Sequence, residues 1–191
     1  MKKILLLLFG IQPLMVFAQT ESDIRQLYAE VNNKIKESIE QGFEGPLYNN
    51  QWINNKYNKS WPAVGIYTET TDFWYDDSPD HLSPGDRNPK NVLVKISISR
   101  ISSVMHTNTE YLFKEGKLVF YYNKNGDQDN AWETRLYFTE KGNMFKSSIK
   151  LNNKELSSGD FLLDQNKDHR PDGGTVMADS KKYQDLFIKS M

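Results

Sequence analysis

An amphipathic helix is predicted near the start of the chain, over residues 22–41. Apolar residues recur there every three or four positions, which places them on one stripe of a helix. These residues are Ile24, Leu27, Tyr28, Val31, Ile35 and Ile39. Thr20 or Ser22 is suited to cap the first turn, and Gly42 to end the helix in a left-handed conformation. A lone helix of this length is marginal in water, so we expect the stripe to cover a sheet.

After Gly45-Pro46 the hydrophobic period changes from about 3.6 residues to 2, the period of a β-strand. The alternation is clearest where Val92, Val94, Ile96 and Ile98 share one face. Further predicted strands cover residues 48–55, 63–76, 109–114, 117–123, 132–140 and 144–151. The last four are joined by connections too short for a parallel crossover, so they are expected to form an antiparallel meander.

These elements predict one α+β globular domain in residues 19–191. Its amphipathic N-terminal helix packs on a mainly antiparallel β-meander sheet. Residues 179–191 are expected to form a short C-terminal helix with Tyr183, Leu186 and Phe187 turned inward. The connection over residues 77–90 is long for a compact domain, and long ordered loops are more often functional than short ones.

Residues 1–18 have the pattern of a signal peptide. Lys2 and Lys3 precede an apolar run, and small side chains stand before Gln19, where a signal peptidase would cleave. The run is too short for a membrane-spanning helix. The chain has no cysteine, which excludes a lipidated cysteine, disulfides and thiol chemistry. We therefore expect a soluble periplasmic or extracellular protein that is not lipidated and does not insert into the membrane after removal of the signal peptide.

Composition narrows the classes of partner. The 24 Lys and Arg residues nearly balance the 25 Asp and Glu residues, and loss of two lysines with the signal peptide leaves an acidic excess. Such a chain lacks the basic surface that nucleic acid or an anionic membrane requires. A protein or a glycan of the cell envelope is the expected partner.

The helix and hairpins resemble a group of uncharacterised small exported Bacteroidota proteins. Their patterns IRxLYxEVNxKI, YxFxxGKLxFxY and ETRxYFxxxGxx are matched here by residues 24–28, 111–121 and 133–138. The resemblance implies secretion and a helix followed by a meander of strands. It carries over no activity and no site residues.

Aromatic residues supply the first candidate binding surface. Trp52, Tyr57 and Trp61 alternate with asparagines, and flat rings beside amide groups suit a sugar or a peptide. The alternative is that Trp52 and Trp61 belong to the core and that the asparagines make turns. Trp74 lies in the run Phe73-Trp74-Tyr75, where strand alternation predicts one ring pointing away from the core. An exposed ring there would be an interface anchor.

A weak calcium site is the second candidate. Asp164, Asn166, Asp168 and Asp172 have the spacing of a loop that wraps a hard cation. The loop resembles the acidic calcium loops of thrombospondin type 3 repeats. It departs from them at His169, where those loops have glycine, and the alternative is a hydrated turn. No other cofactor is expected.

Support for catalysis is limited to the loop over residues 76–86. There Asp76, Asp77, Asp80 and Asp86 surround His81, a set suited to acid–base or metal chemistry, although such loops are usually only hydrated. No serine-hydrolase, metalloprotease or phosphate-loop motif is present. No catalytic residue is assigned.

We therefore expect a non-enzymatic exported binding protein. Its partner is expected to be a protein, as for an inhibitor, an immunity protein or an envelope-assembly factor. One alternative is a carbohydrate-binding module that uses exposed Trp and Tyr rings. The other is a small hydrolase on the 76–86 loop.

Overall fold

The computed structural model describes residues 19–63, 65–77, 89–103, 105–126 and 130–191, so the predicted signal peptide lies outside it. The helices are α1 (Glu21–Gln41), the single turn α2 (Pro89–Val92) and α3 (Gly173–Ser190). The strands are β1 (Tyr48–Asn54), β2 (Ser60–Trp61), β3 (Gly65–Tyr75), β4 (Leu93–Ser102), β5 (Met105–Lys114), β6 (Lys117–Gly126), β7 (Trp132–Phe138), β8 (Met144–Leu151) and β9 (Lys154–Glu155). The predicted α+β class is confirmed.

The predicted ends of α1 are confirmed. Thr20 Oγ1 accepts a hydrogen bond from the Asp23 amide, and the Asp23 carboxylate accepts one from the Thr20 amide in return. This reciprocal pair satisfies two amides that the first helical turn would leave without partners. Gly42 ends the helix with a φ of +62°, a conformation that glycine adopts without strain.

The buried stripe of α1 differs from the predicted one at its C-terminal end. Ile24 and Val31 are buried as predicted, but Ile39 is 69% exposed and Ser38 is buried instead. After the helix the chain crosses back over Ser38, whose Oγ accepts a hydrogen bond of 2.9 Å from the amide of Leu47. The prediction for Ile39 is wrong because this crossing places the helix end against backbone, not against the sheet.

The nine strands form one antiparallel sheet with the order β1-β3-β4-β5-β6-β7-β8-β9, and β2 pairs with the start of β3. From β3 to β9 the neighbours in the sheet are neighbours in sequence, which confirms the meander. The β5–β6 hairpin turns on Glu115 and Gly116, both with positive φ. Such two-residue turns match the twist of the strands that they join.

A helix covers each face of the sheet. Towards α3, the buried residues include Phe73, Ile96, Tyr111, Phe113, Leu118, Leu136, Phe138 and Phe187. Towards α1, they include Ile24, Val31, Leu112, Val119, Phe120 and Tyr137. None of the described helices combines the length and the apolar character that crossing a bilayer requires.

The C-terminal helix is longer than predicted. It begins at Gly173, capped by Asp172, whereas the apolar pattern placed its start near residue 179. Phe187 is fully buried, and Tyr183 and Leu186 pack against the same core, so the predicted inward face is confirmed.

A polar cluster joins α1 to the sheet. The Tyr28 hydroxyl donates a hydrogen bond of 2.6 Å to Glu110, and Lys95 Nζ lies 2.9 Å from the same carboxylate. Lys95 also donates to Asn32 of α1 at 2.7 Å. Burial lowers the pKa of Lys95, while burial and the neighbouring Glu110 raise the pKa of Tyr28.

Candidate functional site

Three of the four predicted aromatic site residues lie on the surface. Trp52 on β1 is 41% exposed, Trp61 on β2 is 42% exposed, and Tyr57 in the connection between these strands is 89% exposed. Trp61 contacts Tyr67, with ring centroids 5.5 Å apart. The alternative that Trp52 and Trp61 belong to the core is wrong.

The expectation of an exposed ring at Trp74 is wrong. All three residues of the run Phe73-Trp74-Tyr75 are buried, and Trp74 is only 8% exposed. Strand alternation does turn Trp74 away from Phe73. It lies opposite Lys95, whose side chain reaches α1, so this face of the sheet is also covered. Trp74 is thus unable to serve as a surface anchor.

The exposed rings gather around one edge of the sheet, which β1 forms. Among the described residues no strand pairs with the outer side of β1. Its seven residues carry no charged side chain, and Tyr48, Trp52 and Ile53 are each more than 40% exposed. An edge strand presents unpaired amides and carbonyls, and charged side chains are a common means of preventing another strand from joining it. Strand β1 lacks that protection.

The opposite edge of the sheet is protected. Strand β8 carries Lys146 and Lys150, and β9 pairs with its last two residues through a tight turn at Asn152 and Asn153. Lysines and a short covering strand both discourage edge-to-edge association. The two edges therefore differ, and in the part of the chain that the structure describes β1 is the open, uncharged one.

A cleft of about 450 Å³ lies beside β1 on the face that carries α3. Trp52 and Thr71 line its sheet side, and Tyr183 and Leu186 of α3 line its helix side. The end of α3 is fixed against β1 by a hydrogen bond of 2.8 Å from Asn50 to Ser190 Oγ. Any segment that extends the sheet past β1 would project alternate side chains over this cleft.

Glu69 gives the cleft a polar end. Its carboxylate forms an ion pair of 2.5 Å with Arg100 and accepts a hydrogen bond of 2.8 Å from the Tyr67 hydroxyl. Burial is the main cause that raises the pKa of Tyr67, and the nearby Glu69 raises it further. The cleft therefore has an aromatic wall and, at one end, the Glu69–Arg100 pair, whose charges compensate each other. Such a cleft suits an uncharged side chain of a bound segment.

Comparison of the chain with protein-family models, with curated proteins and with solved structures finds no match. The site must therefore be interpreted from its own geometry.

The structure does not bring the predicted calcium ligands together. Asp164 is almost fully exposed and lies 3.5 Å from Lys167. Asn166 is buried and donates a hydrogen bond of 3.1 Å to the carbonyl of Asp160. Asp168 lies in the exposed turn between them and α3.

Asp172, the last of the predicted ligands, caps α3. Its Oδ1 accepts hydrogen bonds from the amides of Gly174 and Thr175, and its Oδ2 accepts one from the Thr175 hydroxyl. The hydrogen bonds from Thr175, joined by that from Gly174, lower the pKa of Asp172. Within the described ranges, Asp164, Asp168 and Asp172 form no group that could hold a metal ion.

The predicted hydrolase cluster falls largely outside the described residues. Asp80, His81 and Asp86 lie in the range 78–88, which the structure does not describe, while Asp76 and Asp77 follow β3 directly. The hydrolase therefore stays a prediction.

Sequence reasoning found Trp52 but not the reason for its exposure. The signal was available in part, because residues 48–54 contain neither lysine nor acid. Only the strand order, however, places this segment at an edge.

Proposed function

We propose that the protein is an exported, non-enzymatic binding protein that captures an extended segment of a partner protein along strand β1. The observation that carries this proposal is the open, uncharged outer edge of β1 beside the Trp52 cleft. Inhibitors, immunity proteins and envelope-assembly factors are the classes of partner-binding protein that fit an exported chain.

Strand addition supplies both affinity and specificity. The backbone of the added strand pairs with the unpaired groups of β1, and its alternate side chains enter pockets beside the strand. Here the Trp52 cleft is the pocket for one such side chain. The aromatic wall and the neutralised Glu69–Arg100 pair favour an uncharged side chain with an apolar body.

Site-specific photocrosslinking tests the proposal. A benzoylphenylalanine in place of Gln51, on the outer edge, is activated in cells that export the protein. The same group in place of Glu155, on the opposite edge, is the control. The crosslinked segment of the partner is then made as a peptide. We expect a partner protein to be crosslinked from position 51 and not from position 155. Equal crosslinking at the two positions, or none at position 51, would contradict the proposal.

A pair of matched variants tests the mode of binding. Ile53→Lys places a charge on the edge strand, and Ile39→Lys makes the same change on exposed α1. Both residues are exposed, so both variants should fold. We expect Ile53→Lys to weaken the peptide at least tenfold and Ile39→Lys to leave it unchanged. An unaffected Ile53→Lys variant would exclude strand addition. Self-association that Ile53→Lys abolishes, with no other partner, would identify a second copy as the occupant and overturn the proposal.

A carbohydrate-binding module is the second candidate, because Trp52, Tyr57 and Trp61 are all exposed. Its test is a glycan array with single alanine variants of the three rings. Glycan binding that is lost in Tyr57→Ala and retained in Ile53→Lys would support this function. Tyr57 lies outside β1, so strand addition does not require it.

A further inference from the structure

A second cavity lies between α1 and the sheet, on the face opposite the Trp52 cleft. Its volume is about 360 Å³, near the lower end of the range of roughly 300–1,000 Å³ that is typical of small-molecule sites. Four of its lining side chains are aromatic and two are arginines: Tyr28, Phe120, Tyr122, Tyr137, Arg25 and Arg135.

The aromatic walls are fixed by their own contacts. The ring of Tyr28 meets Phe120 edge to face with centroids 5.2 Å apart, and the Tyr28 hydroxyl bonds to Glu110. On the other side the Tyr122 hydroxyl donates a hydrogen bond of 3.3 Å to Glu133. Both hydroxyls already have acceptors, so these residues contribute mainly the apolar part of their rings to the cavity wall.

Tyr137 differs from the other two tyrosines. It is 1% exposed, it lines the cavity, and its hydroxyl has no hydrogen-bond partner among the described residues. Burial raises its pKa, although Arg25 nearby acts in the opposite direction. Among the described residues only Gln19 has a buried polar side-chain atom without a partner, so the Tyr137 hydroxyl is reached from the cavity and can donate to an acceptor there.

The two arginines place positive charge around this hydroxyl. The Arg25 guanidinium lies 6.0 Å from the centroid of the Tyr137 ring, and that of Arg135 lies 5.4 Å from the Tyr122 ring. Arg25 pairs with Glu21, and Arg135 with Glu133. A guanidinium has five N–H donors, so each arginine retains donors after pairing with one carboxylate.

The charges at the cavity do not cancel. Lys146 lies 2.5 Å from Glu21 and adds a third positive group, whereas Glu21 and Glu133 are the two negative groups in these ion pairs. One positive charge is therefore in excess. One anionic group on a ligand would balance it and would accept hydrogen bonds from both Tyr137 and a guanidinium.

We propose that this cavity binds a small planar monocarboxylate, such as an aromatic carboxylic acid. The ring of the ligand contacts the aromatic side chains that line the cavity, and its carboxylate meets Tyr137 and the arginines. This site is separate from strand β1 and does not depend on the proposed capture of a partner protein.

Calorimetric titration with benzoate, phenylacetate and indole-3-carboxylate tests the proposal, with benzamide as the neutral control. We expect at least one of the carboxylates to bind and benzamide to bind at least tenfold more weakly, because the charge-assisted bonds require an anion. Absence of binding by all three acids at 10 mM, or equal binding of the amide, would overturn the proposal.

Tyr137→Phe removes only the hydroxyl without a partner, so the fold should be retained. We expect this variant to bind the carboxylate about tenfold more weakly, as loss of a hydrogen bond to a charged group predicts. Tyr121→Phe, on the opposite face of the sheet, is the matched control and should bind normally. Arg25→Gln, at an exposed position, should also weaken binding. Unchanged affinity in both Tyr137→Phe and Arg25→Gln would place the ligand elsewhere and contradict the assignment.

Discussion

The ammonium of Lys95 lies 2.9 Å from the carboxylate of Glu110, and Lys95 is only 4% exposed. The pair holds a buried charge between α1 and the sheet, where Tyr28 and Asn32 complete its hydrogen bonds. Removing one member of a buried ion pair leaves the other without compensation. The pair therefore fixes how α1 lies on the sheet.

Glu110→Gln should lower the free energy of unfolding by about 2–3 kcal/mol at neutral pH, because it leaves the Lys95 charge buried and unpaired. Burial already lowers the pKa of Lys95 in the folded protein. A lysine with a lowered folded pKa destabilises the protein most when the pH is below that folded pKa. The free energy of unfolding then rises as the pH climbs from the folded pKa towards 10.5, the value in the unfolded chain. Glu110 partly offsets this effect of burial, so its loss lowers the pKa of Lys95 further, and the deficit of Glu110→Gln should narrow at alkaline pH as Lys95 loses its proton. Urea unfolding at pH 7 and pH 9.5 measures it. Glu140→Gln, at an exposed turn, serves as control, and equal stability of the two variants would contradict the role of the pair.

Gly45→Ala should destabilise the protein by about 1–3 kcal/mol through overpacking. An added Cβ would lie 2.3 Å from Ser38 Cα, so backbone must move where the chain crosses the end of α1. Gly159→Ala is the matched control, because its nearest new contact would be 3.7 Å away. Chemical denaturation compares the two variants. Equal denaturation midpoints of the two variants would contradict a close contact between Gly45 and Ser38.

Asp172→Ala should lower the melting temperature, because α3 loses its N-terminal cap. The hydrogen bonds from Thr175 and Gly174 lower the pKa of Asp172, so its contribution is present above pH 3.8 and is lost as the pH falls through the lower folded value. Thermal melts should therefore show a larger difference from the wild type at pH 6 than at pH 2.5. Asp168→Ala, in the adjacent turn, should melt like the wild type at both.

Calcium should not raise the melting temperature. Asp172 is occupied as a cap, Asn166 by the Asp160 carbonyl, and Asp164 faces Lys167, so the loop presents no assembled set of oxygens. A ligand that binds only the folded state must stabilise it. A rise at millimolar calcium that magnesium does not reproduce and that Asp168→Ala abolishes would show that the loop rearranges around the ion.

Local periodicity predicted much of the fold. The α1 stripe, its Thr20 cap and the meander follow from side-chain spacing and turn chemistry alone. Ser38 is buried and Ile39 is exposed because the chain after α1 crosses back over its last turn. The helical pattern of residues 22–41 gives no information about this crossing.

The remaining errors arise from tertiary arrangement. Trp74 is buried because helices cover both faces of the sheet, whereas local alternation shows only that adjacent residues face opposite sides. The sequence pattern does not show the start of α3, because Gly173 and Gly174 are poor helix formers and because the spacing that makes Asp172 a candidate ligand hides its role as a cap. The open edge at β1 depends on strand order, which periodicity does not contain.

Amide hydrogen exchange across β1 is the most direct test of capture at the sheet edge. The chain is labelled alone and with the peptide from the crosslinked partner, and exchange is followed for residues 48–54. We predict slower exchange in this strand on binding, little change in β8, and loss of the effect in Ile53→Lys. Unchanged exchange in β1 at saturating peptide, or protection confined to other strands, would contradict the account.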